Sequence, residues 1–153
     1  MLDPAVTWWT DEDGEYWHET AGVFVRDARG RFLFFDRTAF PFGLTIPAGH
    51  VERDETPHLA AARELEEETG LAARGLKFLA RIPIPGDGCR RGADAHVWQT
   101  YHCEAGDGGE AAVRLGPEGV TAVWLTPAEA LERPLTFAVR TVLVMQRQEL
   151  ATF

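Results

Sequence analysis

The sequence predicts one α/β domain, and three observations carry that expectation. Short β-patterned runs alternate with glycine- and proline-bearing turns, a sharply capped helical segment sits in the middle of the chain, and a second apolar-periodic segment closes it. No repeat, linker or low-complexity tract divides the 153 residues, so a single domain is expected over 1–153. Hydrophobic residues make up 45% of the chain and aromatic ones 10%, enough apolar surface for a real core and an argument against overall disorder.

Residues 1–17 read as an aromatic and acidic N-terminal extension, in which Trp8, Trp9, Tyr16 and Trp17 surround the turn Asp11-Glu12-Asp13-Gly14. Such rings can cover a sheet edge, build a dimer contact or stack on a ligand base, and burying them is the common use. Ala21–Arg26 and Arg31–Asp36 flank Asp27-Ala28-Arg29-Gly30 as a β-hairpin. After the break Phe40-Pro41-Phe42-Gly43, Leu44–Ile46 is a short strand and Pro47-Ala48-Gly49 a tight approach to the central segment. There Thr56 offers an N-cap hydroxyl, Pro57 suits the first helical position, His58 to Glu68 are good helix formers, and Gly70 is a C-terminal stop.

Leu76–Ile84 reads as a strand ended by Pro83 and Pro85, leading into the glycine-containing loop Gly86–Gly92, of a kind that often touches ligands. Ala95–Cys103 alternates, with His96, Trp98, Thr100 and His102 on one face and Val97, Gln99, Tyr101 and Cys103 on the other. Gly106-Asp107-Gly108-Gly109 turns the chain, Val120–Leu125 is the last strand, and Thr126-Pro127 opens a short helix. The final helix starts near Thr136, with Val139, Val142, Leu143 and Met145 as its apolar side to about Leu150.

A net charge of −9 and a pI near 5 argue against an extended nucleic-acid-binding surface, which needs clustered Lys and Arg. Cys89 and Cys103 are too few and too far apart for a disulfide framework or a CxxC zinc site, and read as ordinary thiols of a reducing interior. The N-terminus lacks the basic and apolar regions of a secretory signal, and no apolar run approaches a membrane span. A soluble, cytoplasmic protein is expected.

The central helix holds the chemistry. Glu64, Glu66, Glu67 and Glu68 follow directly on Arg63. Residues three and four apart are helix neighbours, so Glu64 faces Glu67 and Glu68, which lowers helix stability unless a cation compensates. At about 100° per residue these three share one sector, Leu59, Ala62 and Leu65 lie roughly opposite, and Glu66 points elsewhere. Carboxylate oxygens are the preferred ligands of hard divalent ions such as Mg²⁺. On spacing alone, a solvated acidic helix is the alternative.

The frame around the acids narrows this. Gly49, five residues, Glu55, seven residues, then Arg63-Glu64-Leu65-x-Glu67-Glu68-x-Gly70-Leu71 closely resembles, at every fixed position, the signature box of the Nudix hydrolase family. Outside the box the resemblance runs more loosely from about His18 to Leu131. It implies the Nudix fold, a mixed curved β-sheet sandwiched between α-helices. It also implies hydrolysis of a diphosphate linkage in a nucleoside diphosphate derivative or nucleoside triphosphate, by metal-activated water attack at phosphorus. Mg²⁺, with Mn²⁺ as a substitute, is the implied cofactor, held by Glu64, Glu67 and Glu68, with the carbonyl of Ala48 as an addition. Glu55 is a second-tier ligand, direct or through water.

Arg63 is expected to orient one of the acids by a bidentate ion pair. The resemblance implies that the general base is to be expected at Glu67 or Glu68, or at a carboxylate of a later loop: Glu118 first, then Glu104, Asp107 or Glu110. Arg37, Arg90 and Arg91 are candidates for phosphate contacts. Trp98, with His96 and His102 on the same face, is a candidate base-stacking wall, with ordinary half-buried strand residues as the plainer alternative. Glu66 is expected to be dispensable, and His50 and His58 stay unassigned. The partner is a small-molecule nucleotide or other diphosphate, with no membrane involved, and the resemblance leans towards a homodimer. Two other functions compete. A catalytically silent nucleotide-binding module would usually show a degraded box. An isoprenoid diphosphate isomerase would need a catalytic cysteine, and neither Cys89 nor Cys103 stands out as one.

Overall fold

The chain runs β1 (Trp8–Thr10), β2 (Tyr16–Arg26), β3 (Phe32–Arg37), β4 (Leu44–Thr45), β5 (Ala48–His50), α1 (Pro57–Thr69), β6 (Lys77–Ile84), β7 (Ala95–Glu104), β8 (Gly119–Leu125), α2 (Pro127–Leu131) and α3 (Phe137–Leu150). In this computed structural model residues 5–106 and 112–152 are described, and the outlying acid candidates Asp107 and Glu110 lie outside them. The strands form one eight-stranded mixed sheet with open edges. Its hub is β2, which pairs in parallel with β7 from Trp17↔Ala95 to Arg26↔Glu104. The opposite edge of β2 is shared in turn by β1, β5 and β3, all antiparallel. β6 flanks β7, while β4 and β8 pair with β3.

Strand alternation sends successive side chains to opposite faces, and both faces are covered. Val23, Val25 and Leu33 meet Ala60, Ala61 and Leu65 of α1 on one side. Phe24, Phe32 and Phe34 meet Val139, Val142, Leu143 and Leu150 of α3, with Ala130 of α2, on the other. The sheet between helices that the resemblance implied is thus present. Among the described residues no helix is long and apolar enough to cross a membrane.

The caps formed as expected. The Thr56 hydroxyl accepts from the Leu59 N–H with Pro57 in the first turn, and Gly70 ends α1 in the left-handed region at φ 74°. Thr126 caps α2 in a reciprocal capping box with Glu129, and Thr136 caps α3.

Four local expectations need correction. Leu59 is 58% exposed, because α1 turns its small Ala60 and Ala61 to the sheet, allowing close approach, with Leu65 completing the buried stripe. Met145 is 60% exposed, since the stripe on α3 runs Val139, Val142, Leu143, Gln146 and Leu150. Pro83 does not end its strand, which continues to Ile84 and pairs through Pro83↔Val97. The tight approach at Ala48-Gly49 is itself strand β5, laid against Gly22 and Ala21.

The N-terminal extension becomes a hairpin. β1 pairs with the start of β2, and Trp9 stacks on Trp17 with ring centres 5.2 Å apart and planes 5° from parallel. Asp11 organises the turn, accepting from the Asp13 and Glu15 N–H groups and from Trp17 Nε1. Trp17 is buried in a small cluster with Ala95 and Val97, so the covering role holds for Trp9 and Trp17, whereas Trp8 and Tyr16 stay about 40% exposed.

Candidate functional site

The outward side of α1, the β5 turn and two loops enclose a cleft of about 760 Å³. Glu64, Glu67 and Glu68 line it, as do Ala48 and Glu118. The sequence builds this corner through Gly49: a Cβ there would run into the Glu64 carboxyl, so only glycine lets β5 pass so close to the helix. Gly116 acts likewise on the other side, where a Cβ would come within 2.8 Å of the Glu67 carbonyl oxygen.

Arg63 stands behind the acids and ties four groups. Its Nε and one terminal nitrogen hold both oxygens of Glu55, at 2.7 and 2.9 Å. The other terminal nitrogen donates to Glu64 at 2.7 Å and to Glu67 at 3.2 Å, and a further N–H reaches the His50 carbonyl at 3.1 Å. This is the bidentate clamp anticipated for Arg63, made to Glu55, and it holds the Glu55 carboxyl below its ordinary range. Glu55 lies outside the lining of the main cleft, both its oxygens taken by Arg63.

Glu68 is the deepest acid, 7% exposed, with Oε1 fixed by the Ala48 N–H at 2.8 Å. Burial, and then the Glu64 charge beside it, push its carboxyl up to about 9, with Glu118 adding a smaller push. Burial also raises Glu64, against the pull of Arg63. Without a metal, the pair therefore keeps a proton that a nearby divalent cation would displace. An all-oxygen, proton-loaded carboxylate cluster with a single arginine behind it suits a hard divalent ion.

The remaining walls carry cations, imidazoles and aromatic rings. Arg37 lies at the end of β3, and Arg91 on the loop after β6. Trp98 forms part of the floor, 7% exposed and packed over Gly22, where a Cβ would come within 2.8 Å of the indole. Its Nε1 donates to Asp87 at 3.3 Å. Phe40 and Phe137, 64% and 59% exposed, stand at the lip.

The structure thus gathers Ala48, Glu64, Glu67, Glu68, Glu118, Arg37, Arg91 and Trp98 around one cavity. Arg90 is exposed and does not line it. Glu104 pairs with Arg26 at 3.7 Å at the far end of β7, and His102 lies beside Lys77, so neither reaches the cleft. Glu66 faces solvent, as expected. Several cleft residues had no assigned role in the sequence reading, among them His50, Phe40 and Phe137, while Asp87 and Cys89 were marked only as part of the glycine-containing loop. Strand pairing brings in His50, the return of the loop after β6 brings in Asp87 and Cys89, and the start of α3 brings in Phe137.

Comparison with known proteins agrees with this architecture. Over 63 residues the chain is 46% identical to Phosphatase NudJ of Escherichia coli (strain K12), covering 40% of this chain and 40% of that protein. The match thus spans less than half the length of that curated relative. Among solved structures, the MutT protein from Methanosarcina mazei Go1 superposes with a TM-score of 0.72 at 17% identity, covering 90% of this chain and 96% of that one. The NUDIX domain of Shewanella oneidensis NrtR, solved with ADP ribose, also reaches 0.72 at 17% identity, over 93% and 94% of the two chains. At such identities the likeness is one of fold. The model of the NUDIX domain matches residues 16–146. With that match running from the first residue of the hub strand into the last helix, the chain belongs to the NUDIX domain family.

Proposed function

We propose that the protein hydrolyses a diphosphate linkage in a nucleoside diphosphate derivative or nucleoside triphosphate, with Mg²⁺ as cofactor and Mn²⁺ able to replace it. The observation that carries this reading is the three-carboxylate corner on α1, backed by Arg63 and open to the cleft. Glu64, Glu67, Glu68 and the Ala48 carbonyl would hold the metal, which when bound neutralises phosphate charge and lowers the pKa of a bound water.

The chain's own groups supply the rest. Arg63 fixes Glu64 and Glu67, and through Glu55 its own position is fixed in turn. The Ala48 N–H keeps Glu68 turned into the cleft. Glu118, which lines the same cleft and whose charge acts on Glu68, would take the proton of the attacking water, with Glu67 or Glu68 as the alternative base. Arg37 and Arg91, both lining the cleft, would contact phosphate oxygens, which the planar guanidinium fits. Phe40 and Phe137 offer exposed faces to a base, with Trp98 beneath as a fixed floor.

The test is a Mg²⁺-dependent hydrolysis screen over dinucleotides, sugar nucleotides and (d)NTPs, repeated on Glu67→Gln and Glu68→Gln. At least one substrate should be cleaved at the diphosphate, with turnover in both variants down by about 10²-fold or more while the fold survives. Tight nucleotide binding without turnover in the unaltered protein would favour a silent binding module instead, and full activity in both variants would remove the metal assignment.

A further inference from the structure

Three imidazoles and a thiol converge at the cleft wall, which His50, Cys89 and His96 line and behind which His18 is fully buried. Sheet register places the rings. His18 of β2 pairs with His96 of β7, and Thr20, two residues on and on the same face, pairs with His50 of β5. Neighbouring ring centres therefore lie 4.8 to 5.6 Å apart. The loop between β6 and β7 then folds back and adds Cys89. One ligand atom from each of the four lies within 4.8 Å of all the others.

Two edges of this group are already near the dimensions of a metal site. His50 Nε2 lies 3.0 Å from His96 Nε2, and Cys89 Sγ lies 3.4 Å from His18 Nδ1. A tetrahedral zinc ion with ordinary bond lengths sets its ligand atoms about 3.3 to 3.7 Å apart. Closing the longest separation, 4.8 Å, needs a contraction on the order of 1 Å.

The surroundings are those of a ligand set. His96 Nδ1 donates to the Asp87 carbonyl oxygen, because a carbonyl can only accept, and the Asp87 carboxylate stands 3.5 Å from the same nitrogen. That partner places the ring proton on Nδ1 and leaves the Nε2 lone pair facing the cluster, the arrangement that orients metal-bound histidines. His18 and His96 are buried, 0% and 5% exposed.

We propose that His18, His50, Cys89 and His96 form a tetrahedral site for a borderline-soft divalent ion of the Zn²⁺ class, separate from the carboxylate corner. Imidazole nitrogens and a thiolate select such an ion over Mg²⁺, which demands oxygen. Four protein ligands leave no open position, so its role is structural. It ties the loop that carries Asp87 and Arg91 to three neighbouring strands, and so sets the shape of the cleft wall. On binding, Cys89 releases its thiol proton. His50, ligating through Nε2, carries its ring proton on Nδ1. Arg91, 3.3 Å from that Nδ1, can then no longer donate to it and turns to the cleft.

The inference does not depend on the diphosphate reading, and its test reads the metal directly. The full chain is stripped with a chelator and titrated with Co²⁺, with and without excess Mg²⁺, and then with Zn²⁺. The expected result is a Co²⁺ spectrum with the intense absorption of a tetrahedral ion and a thiolate charge-transfer band, both unaffected by Mg²⁺ and displaced by Zn²⁺. Cys89→Ser abolishes the charge-transfer band. His96→Gln weakens Co²⁺ binding by at least the roughly 10–100-fold that loss of an outer-shell partner costs. Circular dichroism confirms that both variants are folded, and Glu67→Gln leaves the band in place. A weak octahedral spectrum indifferent to Cys89→Ser, or no Co²⁺ bound by the folded unaltered protein, overturns the proposal.

Discussion

Arg63 shows how much one side chain can organise. It neutralises part of the acid cluster, yet its larger effect is geometric, because a planar fork with donors on several edges holds Glu55, Glu64 and Glu67 at once. Lysine has the charge without the fork. Arg63→Lys is therefore expected to keep the fold but lose about 10–100-fold in kcat/KM, as for other groups that position metal ligands, and steady-state kinetics at saturating Mg²⁺ check it. Glu68 makes a second prediction at this scale. Its carboxyl is raised to about 9 by burial and by Glu64, so the metal-free protein is favoured while Glu68 stays protonated. That contribution is full below the ordinary carboxyl range and fades as pH rises through about 9. The gain in Tm on adding Mg²⁺ should accordingly grow between about pH 5 and pH 9, and a gain that stays flat across paired melts with chelator or Mg²⁺ would sink the idea.

At the scale of the element, α1 has two jobs that its sequence separates by angle. Ala60, Ala61 and Leu65 pack on the sheet while Glu64, Glu67 and Glu68 reach the cleft, and Glu68 sits at the border, buried yet lining the cleft. Leu65→Ala should cost about 2–5 kcal/mol in urea unfolding, because it empties a fully packed position. Leu59→Ala should stay within about 0.5 kcal/mol, its side chain being in solvent. Thr56→Ala removes the cap and should cost about 1 kcal/mol. The ordering of the three tests the rotation of the helix: a large loss at Leu59 would place the buried stripe where the simple opposite-face argument put it.

Across the whole molecule, the parallel pairing of β2 with β7 is the contact on which the site depends. It sets Trp98 over Gly22, brings His96 beside His18, and swings the loop bearing Asp87, Cys89 and Arg91 back over the box. Gly22→Ala should drive a Cβ against the indole at 2.8 Å and against Ile46 at 3.2 Å. Overpacking of this kind costs about 1–3 kcal/mol, and a shifted Trp98 floor should also raise KM more than it lowers kcat. Denaturant melts and kinetics on the same variant measure both.

What could be read from the chain alone was local. Caps, turns and a fixed box are written in consecutive residues, so Thr56, Pro57 and Gly70 bounded α1 correctly, and the divided glutamates with Arg63 were placed without coordinates. Rotation was less legible: Leu59 and Met145 were assigned inward because periodicity marks a stripe only to within a residue, and small alanines can outcompete a leucine for close contact with a sheet. Only the tertiary structure could decide what lies opposite the box. Glu118 was only the first of several loop acids until the structure brought it to the cleft that Glu68 lines, while of Arg90 and Arg91, adjacent in sequence, only Arg91 lines that cleft. His18, His50, Cys89 and His96 share no spacing at all, and they meet because a parallel strand pair and an antiparallel one register the rings on one face. Sequence determines what nearest neighbours along the chain can do, and strand register determines which distant residues become neighbours.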